Sequence, residues 1–94
     1  WTETKPFEPV VKDGKLFGRG TADDKGPAVA ALYAMRAVKE LDIPLNKNVR
    51  LILGTDEECG SSDIVNYYDK EDEAPMTFSP DAEYPLINIE KGGL

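Results

Sequence analysis

Three loop clusters of acidic side chains stand out along this 94-residue chain. Asp23 and Asp24 lie in "GRGTADDKGP", Asp56, Glu57 and Glu58 in "LILGTDEECGSSD", and Asp81 with Glu83 in "FSPDAEYP". Each cluster sits in a loop beside glycine, serine or proline. If the apolar runs ahead of them are strands, three strand ends deliver acid to one edge of a sheet, where sites gather in open α/β folds. Such an edge repels itself unless a cation sits among the carboxylates. A plainer reading stands beside this one. Asp23 or Asp24 caps the helix that follows, "TDEECGSS" is a polar loop with a helix start, and Asp81 is a turn residue after Ser79-Pro80. Pattern alone leaves both readings open.

The elements that must position these loops are legible in outline. "EPVVKDGKLFG" (8–18) reads as a β-hairpin, two short apolar runs around Asp13-Gly14, the favoured dipeptide for a tight turn. A glycine-rich loop follows over 18–26. Proline suits the first turn of a helix, so a helix is expected from near Pro27 to about Leu41, with Pro44 at its exit. Val29, Leu32, Tyr33, Met35, Val38 and Leu41, with alanines between, predict a helix buried on more than one side. "NVRLILGT" (48–55) is the continuous branched run of a central strand. "SSDIVNYYDKE" (61–71) reads as a helix, and "MTFS" (76–79) and "LINIE" (86–90) as further strands. Hairpin, helix, strand, helix, strand is the order of a layered α/β fold with at least one parallel pair.

Bulk composition narrows the partners. Eleven basic against eighteen acidic residues leave a net charge of −7, which argues against nucleic acid and against an anionic membrane surface. "DKEDEA" (69–74) holds much of that acid and reads as a solvated loop. A single cysteine, Cys59, forms no internal disulfide, and no signal peptide or membrane-length apolar run is visible, so a reducing, cytoplasmic setting is expected. The missing initiator Met, the opening on Trp1 and the stop at "EKGGL" are what an excerpt of a longer chain would show. Rival motifs fail on order. A P-loop needs lysine and Ser/Thr after its second glycine, whereas "GTADDKGP" puts two aspartates where phosphate would lie. No window supplies an EF-hand loop. The sequence has no histidine, so no Ser-His-Asp or Cys-His set exists.

"LFGRGTADDKGP", then "VRLILGTDEECGSSD", then "FSPDAEYPLINIEKG" closely resembles the two-zinc metallopeptidases of the aminoacylase and carboxypeptidase G superfamily. The nearest branch is that of the bacterial dipeptidases of the peptidase V and Xaa-His (carnosinase-like) type. The resemblance covers essentially the whole chain, and it implies that residues 1–94 are a piece of the catalytic domain, from its N-terminal half, without the lid domain. The implied fold is α/β, part of a layered domain with a mixed, partly parallel sheet flanked by helices.

The resemblance also assigns roles. Asp23 matches the carboxylate that bridges two zinc ions, Glu57 the general base, Glu58 a ligand of one zinc and Asp81 a ligand of the other. The peptide bond after the bridging Asp is typically cis in this family, which makes Asp23–Asp24 a candidate. The implied reaction is hydrolysis of dipeptides, with water activated between the zinc ions and its proton taken by Glu57.

One departure stands out: the family's site also uses histidines, including one in a His-x-Asp motif, and none is present here. The chain carries only the carboxylate half of the site, and oxygen ligands alone favour harder cations than zinc. The excerpt alone is therefore expected to be inactive. Cys59, beside Glu58 where a small residue is usual, is read as a small buried or loop residue rather than a thiolate ligand. Two further readings remain: an amidohydrolase or deacylase of the same superfamily, and a non-catalytic relative acting as a binding scaffold. An isolated α/β piece would also leave apolar sheet surface and strand edges uncovered, so self-association is expected.

Overall fold

A computed structural model of the chain describes residues 1–81. Its first element is the expected hairpin. Strand β1 (Val10–Lys12) pairs antiparallel with β2 (Lys15–Phe17), Val10 opposite Phe17 and Lys12 opposite Lys15. Asp13 and Gly14 take φ of 51° and 72°. Positive φ at both central residues is the type I′ turn, whose twist matches right-twisted strands, and Asp-Gly supplies it at little steric cost.

Helix α1 (Lys25–Glu40) starts two residues before Pro27 and ends one before Leu41. Pro27 lies in the first turn, where its missing N–H leaves no intrahelical bond unmade. The far end closes as a Schellman motif: the Ile43 N–H donates to the Val38 carbonyl at 3.1 Å and the Asp42 N–H to Lys39 at 3.3 Å. Asp42 sits at φ 49°, the left-handed position that this motif demands. Arg36 and Glu40 pair one turn apart at 2.7 Å, an exposed contact of a few tenths of a kcal/mol, on the order of 0.3–0.5.

Helix α2 (Ser62–Tyr68) falls inside the expected 61–71, preceded by a short 3-10 turn over Glu57–Cys59. The apolar run 48–55 and "MTFS" (76–79) depart from expectation. Neither forms a strand, and among the described residues the sheet is the two-stranded β1–β2 pair alone. A strand exists only when a neighbour completes its hydrogen bonds, and no described segment pairs its backbone with either run. The expected partly parallel sheet is therefore corrected, for these residues, to a small antiparallel one in a mixed α/β chain. "LINIE" lies outside the described residues. The 48–55 run is tied instead by side chains: Arg50 donates to the Tyr67 hydroxyl on α2 at 2.6 Å.

The expected burial of α1 is corrected too. None of the described residues is buried, and Val29 and Leu32 are each 52% exposed. The chain presents 9147 Å² to solvent, against about 5,400 Å² for a compact monomer of its mass. Sixteen residues of helix and a hairpin of two three-residue strands offer too little opposing surface to cover one another. No helix among the described residues is long and apolar enough to cross a membrane.

Candidate functional site

The Asp23 loop is built between the hairpin and α1. The Arg19 N–H donates to the Pro6 carbonyl at 3.1 Å, and the Lys25 N–H to the Gly20 carbonyl at 2.9 Å. The Thr21 hydroxyl donates to the Gly18 carbonyl at 3.0 Å. Lys25 sends its ammonium to the Arg19 carbonyl at 3.1 Å. Arg19 itself lies over the Trp1 ring, 4.8 Å from its centroid. Gly26 is required by close approach: a Cβ there would meet the Thr21 carbonyl oxygen at 2.6 Å.

Asp24 occupies the N-cap position of α1, yet its side chain makes no capping bond. The plainer reading of this cluster, helix capping, is therefore not how Asp24 is used. Both Asp23 and Asp24 are exposed, and the peptide bond between them is cis, as the resemblance implies.

The second loop separates its three acids by task. The Asp56 carboxylate accepts the Ser62 N–H at 3.0 Å and the Ser62 hydroxyl at 2.6 Å, so it starts α2. Its backbone carbonyl accepts the Cys59 N–H at 3.1 Å and the Ser61 N–H at 2.8 Å. Glu57 and Glu58 stand exposed in the 3-10 turn and take part in none of these bonds. Gly60 and Ser61, at φ 105° and 56°, bring the chain from that turn into α2. Cys59 is exposed within it, a loop residue rather than a buried one.

Sequence reasoning missed Asp63. Its Oδ2 accepts the Thr55 N–H, and also lies 3.4 Å from the Thr55 hydroxyl. Its Oδ1 accepts the Ile64 N–H at 2.8 Å. The Thr55 N–H, chief among these donors, holds the Asp63 carboxyl below its usual value, against a smaller opposing effect of desolvation. The available signal was the wording "T-D-E-E-C-G-S-S-D", in which each acid outside the Glu pair has a Ser or Thr within reach across the turn.

Asp81 is exposed at the end of the described residues. Among those residues no three of His, Cys, Asp or Glu are grouped so that they could hold a metal ion, so Asp23, Glu58 and Asp81 are not brought together there. Their chemistry suits a divalent cation: all are carboxylates, hard oxygen donors. Zinc also favours nitrogen or sulfur, and no histidine is available in this sequence. The chain thus fits the oxygen share of a zinc site and not the whole of one.

The family model for Peptidase family M20/M25/M40 matches residues 1–94. "Putative dipeptidase YtjP" of Bacillus subtilis (strain 168) is 46% identical over 92 residues, which is 98% of this chain and 20% of that protein. "Putative dipeptidase SSP1012" of Staphylococcus saprophyticus is 43% identical over 90 residues, 96% of this chain and 19% of that protein. A "Putative dipeptidase" of Staphylococcus epidermidis is 42% identical over the same length and the same shares. The chain therefore spans about a fifth of the length of the curated relatives it matches. No solved structure matches it. With the family matched from the first residue to the last and relatives this similar across nearly the whole chain, it belongs to Peptidase family M20/M25/M40.

Proposed function

We propose that residues 1–94 are part of the catalytic domain of a cytoplasmic zinc dipeptidase, contributing the carboxylate ligands and the general base. Asp23, Glu58 and Asp81 would hold the metals through their carboxylates, with nitrogen ligands supplied by another part of the longer protein. When bound, the zinc ions supply a water of lowered pKa and polarise the scissile carbonyl. A Glu57 carboxylate oxygen takes the proton of the attacking water and passes it to the leaving amine. The observation that supports this division best is local. Asp56 is spent on Ser62, while its neighbours Glu57 and Glu58 stay exposed in the 3-10 turn. Adjacent side chains on such a turn diverge, so one can bind metal while the other moves a proton. The isolated chain, lacking nitrogen ligands, is inactive.

The test is zinc content and dipeptide hydrolysis of the full-length protein beside its Glu57→Ala variant. The expected result is about two zinc ions per chain in both, with turnover lower by roughly 10²–10⁴-fold in the variant. A full-length protein that holds no zinc and hydrolyses no dipeptide leaves the scaffold reading in its place.

A further inference from the structure

The Glu57–Glu58 turn is closed by two carboxylates that belong to neither metal nor substrate in the proposed function. Asp56, just before the turn, reaches forward to the N–H and hydroxyl of Ser62. Asp63, just after it, reaches back to the N–H and hydroxyl of Thr55. The two ties are nested, 56 to 62 inside 55 to 63, so residues 55–56 and 62–63 are held as a pair and the turn between them is a closed loop. Gly54 makes room for this: a Cβ there would lie 3.2 Å from the Asp63 Oδ2 and 3.6 Å from the Ile64 Cδ1. Further along, Arg50 and Tyr67 join the same two segments at 2.6 Å. Within the turn, the Asp56 carbonyl accepts the Cys59 and Ser61 N–H groups, and the two carboxylates fasten its ends.

We propose that Asp63, together with Asp56, is a positioning residue that aims Glu57 and Glu58 by clasping the ends of their turn. This rests on the proposed function, in which Glu58 binds metal and Glu57 moves a proton. A displacement of about 1 Å at such groups lowers turnover by up to ~10²-fold. Groups that hold a metal ligand in place commonly change affinity by about 10–100-fold when removed.

The experiment uses the full-length zinc protein with Asp63→Ala, Asp63→Asn and Gly54→Ala, and Glu57→Ala as reference. Kinetics are normalised to folded protein, and the zinc dissociation constant is measured by competition with a chromogenic chelator. Asp63→Ala is expected to lower kcat at least tenfold with KM within about twofold, and to weaken zinc about tenfold. Asp63→Asn keeps an oxygen for the Thr55 N–H and recovers most of both. Gly54→Ala pushes on the same carboxylate from the other side and shifts kcat and zinc affinity in the same direction, which carries the test if Asp63→Ala does not fold. A residue that merely stabilises the fold would lower the melting temperature and leave kcat and zinc affinity of the folded fraction unchanged. Wild-type kcat and zinc affinity in folded Asp63→Ala, or in Gly54→Ala if that variant alone folds, overturn the clasp while Glu57→Ala remains dead. A Glu57→Ala protein that keeps full turnover overturns the proposed function, and the clasp with it.

Discussion

One oxygen of Asp56, Oδ2, accepts both the backbone N–H and the hydroxyl of Ser62, six residues away. The first N–H groups of a helix have no partner within it, and α2 has no side-chain bond from its own N-cap, Ser61. Asp56 fills that place from outside the helix. Asp56→Ala is expected to destabilise α2 by about 1 kcal/mol, the usual cost of losing a cap. Asp56→Asn, which keeps an accepting oxygen, should cost less. Urea midpoints of the full-length variants decide this; equal midpoints for alanine and wild type would show that the bond contributes nothing.

Acid should open the same loop from its other side. The Asp63 carboxyl titrates below its usual value because the ionised form accepts the Thr55 N–H. A group whose folded value is depressed stabilises the ordered loop fully above its unfolded value, near pH 4 for aspartate. That contribution disappears as pH falls through the depressed folded value. The Thr55 amide proton, followed by NMR, should stay protected at neutral pH and lose protection only below about pH 4. Loss of protection near neutrality would contradict the assignment.

Gly26→Ala tests how tightly the Asp23 loop is fastened to α1. Alanine favours a helix interior over glycine by about 1 kcal/mol. Here its methyl would meet the Thr21 carbonyl oxygen at 2.6 Å, and overpacking costs roughly 1–3 kcal/mol. The clash involves backbone, which has no rotamer to retreat to, so the variant is expected to melt lower despite its better propensity. A higher melting temperature would mean that the loop yields.

Asp42→Gly should act the other way. Asp42 holds φ 49° at the end of α1 without a glycine's freedom. Glycine relieves that conformation and keeps both Schellman bonds, for an expected gain of up to about 1 kcal/mol. Thermal unfolding of the full-length variant reads the sign directly.

With no described residue buried and Val29, Leu32 and Tyr33 all more than half exposed on α1, the isolated chain is expected to associate with itself. Sedimentation at rising concentration should show mass above the monomer. A monomer that binds no apolar dye at any concentration contradicts this.

What was legible in the sequence is what short-range chemistry decides. Asp13-Gly14 needs only its own two φ angles to make a hairpin, and the alanine-rich run 28–37 makes α1 by propensity and spacing. The runs 48–55 and 76–79 failed for the opposite reason. Their branched apolar residues record a need for partners, and a strand partner is not a property of the run itself. The cover expected for Val29 and Leu32 depends in the same way on surface supplied from elsewhere. The candidate site divides along this line as well. Asp23, Glu57, Glu58 and Asp81 are singled out as candidates by motif order and by the family resemblance, but the tasks of Asp56 and Asp63 were not legible, because a carboxylate's partner six or eight residues away depends on how Gly60 and Ser61 turn the chain.

The contact of Arg19 with the Trp1 ring gives the chain an optical gauge. Trp1 is its single tryptophan, and the arginine stacked on it also closes the Asp23 loop through its own N–H and carbonyl. Indole emission responds to a guanidinium lying against the ring. Any event that rearranges the loop, cation capture at Asp23 included, can therefore be followed in the isolated chain as a change in colour and quenching of one fluorophore, with no label added.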